Sequence, residues 1–312
     1  MLLDPQAGIL VQGITGREAS AMVEDALACG SRIVAGVTPG KGGQRVHGVP
    51  VYDTVREAVL EHHPTVTVIS VPAAAVLDAA LEAIENGIPL CLILTERVPR
   101  LDTSKLLVAA RDACCRVIGP NTLGLIRPGV AKLGTIGGRV DNVRRSFMPG
   151  HVAVLSRSGG MTTEIASFLT SRGIGQSIAI GVGGDPIVGA NFAELIELLE
   201  DDPSTDAVVI YGEPGGSAEE QLARRLKHHP SRLRINAFLA GRFVDDLEGV
   251  RFGHAAVIVE GGRGSVRGKA AALRDAGVFV AEAFDDIVEG LGESARVHHD
   301  ATIQGFNDLT NP

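Results

Sequence analysis

The residue type best suited to covalent chemistry in this chain is the histidine of Arg251-Phe252-Gly253-His254-Ala255. Its small neighbours leave room around the imidazole. A histidine becomes a nucleophile toward phosphate when a carboxylate holds its far ring nitrogen. Glu213, in Gly212-Glu213-Pro214-Gly215-Gly216-Ser217, offers such a carboxylate at the end of another apolar run. Gly-His-Ala alone is equally the setting of a structural histidine, so the partner decides its role. His62, His63, His228 and His229 stand at helix ends before prolines, and His298 and His299 lie in the polar tail. Those six read as solvated.

Glycine loops supply candidate anion sites. Gly13-Ile14-Thr15-Gly16-Arg17-Glu18 follows an apolar run and opens a helical pattern. Such a loop offers backbone N–H groups and a helix N-terminus to a phosphate, or it is only a tight turn. The next strand end carries Val37-Thr38-Pro39-Gly40-Lys41-Gly42-Gly43, with no acidic residue to hold a ribose hydroxyl pair. Lys41 suits a further phosphate, or it is a solvated cation. This disfavours NAD and favours a multiply phosphorylated nucleotide such as CoA. Leu94-Thr95-Glu96 stands at a third strand end, where ligands of open sheets bind; Glu96 alternatively caps the following helix. Ser158, Gly159 and Gly160, in Ser156-Arg157-Ser158-Gly159-Gly160, form another loop between strand and helix. It is an anion site or an ordinary serine cap. No metal-ligand cluster is read from the spacing.

The elements that must position these residues are α/β in type. Gly8–Gln12, Arg32–Val37, Thr65–Val71, Leu90–Leu94 and Arg116–Ile118 read as buried strands. Arg17–Cys29, Thr54–His62, Ala73–Asn86 and Thr103–Asp112 read as the helices between them. The alternation predicts βαβ units and a parallel sheet. The glycine-, proline- and arginine-rich stretch after Pro120 breaks the rhythm and reads as a connection. The predicted division is a first domain over 1–128, a linker over 129–150, a second domain over 151–291 and a tail over 292–312. In the second domain His151–Leu155, Gln176–Val182, Asp206–Tyr211, Arg234–Leu239, Ala255–Val259 and Val278–Val280 read as strands. Met161–Arg172, Asn191–Glu200, Ser217–His228, Lys269–Ala276 and Asp285–Leu291 read as helices.

Composition excludes several classes. The net charge of −8 argues against a phosphate-backbone binder, and the absence of Trp removes base-stacking platforms. No nucleic acid partner is expected. No apolar run reaches the roughly 18 residues of a membrane span. Cys29, Cys91, Cys114 and Cys115 form no Cys-x-x-Cys pair and read as reduced thiols of a cytoplasmic protein.

Taken in order, the motifs resemble the α subunit of succinyl-CoA synthetase. They are Gln12–Gly16, Gly36–Gly43, Pro50–Val59, Ile118–Asn121, Ser156–Gly159, Gly183–Phe192, Gly212–Glu220 and Gly253–Ala255. The resemblance implies an N-terminal Rossmann-like CoA-binding domain and a C-terminal flavodoxin-like ligase domain, both with parallel sheets. It places Thr15, Gly16, Arg17, Glu18, Lys41, Leu94, Thr95 and Glu96 against CoA. It makes His254 the phosphohistidine, Glu213 its carboxylate partner, and Ser158–Gly160 the start of a helix that faces the phosphate. It implies ATP or GTP with Mg²⁺, bound mainly by an ATP-grasp β subunit, which this chain lacks and which also selects the nucleotide.

The departures concern the acid. Thr163 stands where the succinate enzymes usually carry tyrosine, and Asn121-Thr122-Leu123-Gly124 replaces their Asn-Cys-Pro-Gly. An acidic loop, Val244–Glu248, precedes the histidine. Ser156–Met161, Phe252–His254 and Ala276–Val280 look more like ATP-citrate lyase and citryl-CoA synthetase. The carboxylate substrate is therefore open among succinate, citrate, malate and other substituted dicarboxylates. A CoA-binding or sensing protein without ligase activity is the reading from another class.

Overall fold

The computed structural model describes residues 4, 6–242 and 264–292. His254, the loop Val244–Glu248, the strand expected over Ala255–Val259 and the tail from 293 lie outside the described residues.

The first half runs β1 (Ile9–Gln12), α1 (Arg17–Ala28), β2 (Ile33–Val37), β3 (Arg45–Val46), β4 (Val49–Tyr52), α2 (Val55–His62), β5 (Val66–Ile69), α3 (Val76–Glu85), β6 (Leu90–Ile93), α4 (Arg100–Asp112) and β7 (Arg116–Ile118). Its sheet has the order β3-β4-β2-β1-β5-β6-β7. β1, β5 and β6 are buried at every residue, as strands covered by helices on both faces must be. β3 alone runs antiparallel, in a short hairpin with β4.

The second half runs β8 (Gly124–Arg127), β9 (Ala131–Gly134), α5 (Val140–Ser146), β10 (Pro149–Ser156), α6 (Gly159–Ser171), β11 (Gln176–Gly181), α7 (Phe192–Glu200), β12 (Ala207–Gly212), α8 (Ala218–His228), β13 (Arg234–Leu239), α9 (Val266–Asp275) and β14 (Phe279–Ala281), closed by a 3₁₀ turn over Phe284–Leu291. The sheet order is β14-β13-β12-β10-β11-β8-β9. Its central pairs are parallel.

The stretch expected as a linker over 129–150 contains β9 and α5. β8 pairs antiparallel with β11, and β9 with β8, so this sheet is mixed at one edge rather than wholly parallel. The glycines that suggested a loop serve this hairpin. Gly124 and Gly134 face each other with φ of 103° and 88°, and a Cβ on either would overlap backbone of the opposite strand. Glycine also delayed the expected start of α6, which Ser158 caps before Gly159 and Gly160. α7 begins at a full capping box between Asn191 and Glu194.

Three apolar layers hold the molecule. One contains Val11, Ile14, Leu92, Leu125, Leu155 and Phe192, and so joins both halves. A second covers the outer face of the first sheet around Leu10, Ile93 and Leu106. A third covers the outer face of the second sheet around Val154, Ile165 and Val209. Each such side chain contributes about 1.5–3 kcal/mol by leaving water. Hydrogen bonds stitch the seam. Ser31 donates to the Lys132 carbonyl at 2.6 Å and accepts from its N–H at 2.9 Å. The Val140 N–H donates to Asp25 at 3.1 Å, and the Gly119 N–H to the Val182 carbonyl at 3.1 Å.

Candidate active site

In the first sheet the strand order reverses at β1, which lies between β2 and β5. Ligands of open α/β sheets bind beyond the carboxyl ends at that point. Gly13 has φ of 80°, and a Cβ there would overlap the Ser70 carbonyl, so the loop lies against the end of β5. α1 begins at Gly16 with no side-chain cap, which leaves its first-turn N–H groups open to an anion.

A cleft of about 630 Å³ lies over these strand ends. It brings together Gly16, Arg17, Glu18, Leu94, Thr95 and Glu96. Thr15 is not on its wall; its hydroxyl donates to Thr38 at 3.2 Å and so ties the first loop to the loop bearing Lys41. Lys41 is exposed on that second loop, which Asp53 braces by accepting from the Gly42 N–H at 2.8 Å. Glu96 does not cap α4, whose cap is Pro99; it is exposed and lies 3.6 Å from Arg97. Thr95 donates to the Val71 carbonyl at 2.7 Å, which fixes the floor. An uncapped helix start, a glycine cradle and exposed cations fit a phosphorylated nucleotide.

The cleft also takes in residues that the pattern of the sequence missed. Ser70, Val71 and Pro72 follow β5, and the strand-end rule would have found them. Asn121, Thr122, Leu123 and Thr135 come from the supposed connection. Asn121 has φ of 59°, its N–H donates to the Thr95 carbonyl at 2.9 Å, and its side-chain amide donates to Asp185 at 3.0 Å. The Leu123 side chain rests against Gly159, where a Cβ would overlap it. The far wall of the cleft therefore abuts the N-terminus of α6.

The second sheet reverses at β10, between β11 and β12. Ser158, Gly159 and Gly160 lie at that strand end. Ser156 accepts from the Ser158 N–H at 3.1 Å and donates back to the Ser158 carbonyl at 2.7 Å, which fixes the turn. The Ser158 hydroxyl accepts from the Met161 N–H only at 3.5 Å, a weak cap. Arg157 is buried and donates to the Asp185 carbonyl at 3.2 Å.

Glu213 follows β12, beside this turn, and is half-buried. Burial, then the charge of Glu213, pushes the Tyr211 phenol up to about 12. The Gly215 N–H donates to the Gly264 carbonyl at 2.8 Å, where the chain returns from the segment containing His254. The histidine itself lies outside the described residues. Of the histidines expected to be solvated, His63, His228 and His229 are exposed, but His62 is half-buried with Nε2 2.7 Å from the Tyr52 hydroxyl.

Two families match this arrangement: a CoA binding domain over residues 4–97 and a CoA-ligase domain over 155–279. Together with the fold they define a two-domain protein of the CoA-ligase class. Subunit alpha 1 of the ADP-forming succinate–CoA ligase of Archaeoglobus fulgidus is 42% identical over 93% of this chain and 96% of its own. A subunit of the ADP-forming sulfoacetate–CoA ligase of Bilophila wadsworthia is 41% identical, covering 88% and 92%. The structure of ATP citrate lyase from Methanothrix soehngenii with citrate and coenzyme A superposes with a TM-score of 0.87 at 25% identity. It covers 100% of this chain, which spans about half of that one (52%). The chain belongs to the succinate–CoA ligase alpha-subunit family.

Proposed function

We propose that this chain is the CoA-binding, phosphohistidine-bearing subunit of an acid–thiol ligase. It forms an acyl-CoA from a di- or tricarboxylate, CoA and ATP or GTP. The observation that carries the reading is a cleft at the first strand-order reversal whose far wall abuts the second. It opens at the uncapped start of α1 and ends where Leu123 touches Gly159 at the start of α6.

Thr15, Gly16, Arg17, Glu18, Lys41 and Leu94–Glu96 bind CoA, which supplies the thiol that accepts the acyl group. His254 takes the nucleotide's terminal phosphoryl group on an imidazole nitrogen, and Glu213 holds the other nitrogen and stabilises the charged ring. Ser158, Gly159 and Gly160 face the phosphoryl group with the positive end of α6. The carboxylate then takes the phosphoryl group from His254, and thiol attack on the acyl phosphate releases phosphate. An ATP-grasp β subunit binds the nucleotide with its Mg²⁺ and completes the carboxylate site. No helix among the described residues is long and apolar enough to cross a membrane. Four free cysteines suit a cytoplasmic setting.

The acid is the finer question. Thr163 and the loop Val244–Glu248 depart from the succinate enzymes, and relatives act on sulfoacetate and citrate. The chain is mixed with its ATP-grasp partner, Mg²⁺-ATP, CoA and a panel of succinate, malate, citrate and sulfoacetate, and acyl-CoA is read by mass. One of the di- or tricarboxylates should give acyl-CoA, with an acid-labile phosphoryl group on His254; acyl-CoA from sulfoacetate alone would overturn that substrate class. CoA binding without any phosphoryl adduct would leave a CoA-binding module instead.

A further inference from the structure

Lys269 is a buried cation to which the scheme above gives no task. It projects from α9, and its side chain, like that of Glu219 on α8, is 0% exposed. An ammonium has three N–H donors, and here each has an acceptor. One reaches Glu219 Oε2 at 2.5 Å, one the Glu213 carbonyl at 2.8 Å and one the Gly215 carbonyl at 2.6 Å. Two of the three therefore go to main chain on either side of Pro214, in the loop that presents Glu213.

That loop needs an outside brace. Gly215 and Gly216 have φ of 83° and 64°, and neither has a side chain to pack. Glu219 adds to the brace from below, because a Cβ on Gly212 would overlap its Oε1, so the carboxylate lies directly on the backbone residue before Glu213. A buried ion pair offers little net stability over apolar residues of the same volume, and its attested use is to fix geometry. Here the geometry it fixes is that of one strand-end loop.

We infer that Lys269 is a positioning residue, with Glu219 as its counter-ion: it holds the main chain of Glu213–Gly215 so that the Glu213 carboxylate is presented in one place. The inference rests on the reading of Glu213 as the carboxylate partner of His254.

The test uses the full chain with its ATP-grasp partner and measures transfer of labelled phosphate from Mg²⁺-ATP to His254. The double variant Lys269→Met/Glu219→Met keeps the buried volume and removes the donors to both carbonyls. Its rate constant for phosphorylation at saturating nucleotide should fall by about 10²-fold, the scale of a small misplacement of a catalytic group. The KM for nucleotide and the Kd for CoA should stay within about threefold, since neither is bound by this loop. In a Glu213→Gln background the same double substitution should change the rate by no more than about twofold, because groups acting through one another are not additive. Lys269→Gln, which retains two donors, should show a smaller loss with the same dependence on Glu213. An unchanged rate in the double variant overturns the inference, as does an equal loss with and without Glu213. Failure of both Lys269 variants to fold also overturns it, since the pair would then be a requirement of the fold. His254→Ala is the control: if that variant still forms acyl-CoA, the phosphohistidine reading fails. If it does not, and the Lys269 variants are unaffected, only the positioning role fails.

Discussion

The two halves use strand-end loops of the same kind in opposite ways. Gly13–Gly16 is held by backbone bonds and a threonine pair, and it leaves a helix start uncapped toward a wide cleft. Glu213–Gly216 is clamped from beneath by an ammonium with no exposed surface. In the function proposed above, the first loop serves a ligand that arrives and leaves, and its uncapped donors suit that task. In the same proposal the second presents the Glu213 carboxylate to one imidazole in each cycle, and its main chain is bonded to an ammonium that water cannot reach. Anion binding needs exposed N–H groups, whereas carboxylate positioning needs buried bonds.

The strongest way to break this division is His254→Ala. It should lower acyl-CoA formation by roughly 10⁴-fold or more, as loss of a covalent nucleophile does, while CoA affinity by calorimetry stays within a few-fold. A comparable loss of CoA binding would show that the halves do not divide the work. The single variant Lys269→Met should come next. It strands Glu219 as an uncompensated buried charge, and the unfolding free energy in urea should drop by about 3–5 kcal/mol. The apolar double variant should recover most of that.

Gly13→Ala tests the first loop. At φ of 80° and against the Ser70 carbonyl it should cost about 1–3 kcal/mol. The expected readout is a CoA Kd raised about tenfold with phosphorylation of His254 retained. Loss of both would tie the loops together. The smallest effect should be far from either site. Burial alone would raise the Glu200 carboxyl, but hydrogen bonds from Arg225 and Ser231 and the charges of Arg225 and Arg232 outweigh it and hold it below its ordinary value of 4.5. The resulting stability is present above that value and is lost as pH falls through the lower folded one. Glu200→Gln should cost about 1 kcal/mol at pH 7, and the gap to wild type should close in acid. Thermal melts from pH 7 to 3 would show this; a gap independent of pH would contradict it.

The sequence by itself determined the βαβ alternation, because each central strand is a short apolar run and some of the helices between them carry a local start signal. Thr54 with Glu57 and Asn191 with Glu194 both form capping boxes within four residues. It also marked the strand-end glycine loops, since a phosphate cradle is a local pattern of glycine and helix start. The tertiary structure alone decided three things. It turned the supposed linker into a sheet edge, because hairpin glycines and loop glycines have the same composition and only the pairing partner separates them. It gathered Asn121–Leu123 into the cleft with Gly16–Glu18, more than a hundred residues earlier. And it buried Lys269, which on a helix reads as a solvated lysine. Its acceptors lie 50 to 56 residues away along the chain, and only folding brings them within reach.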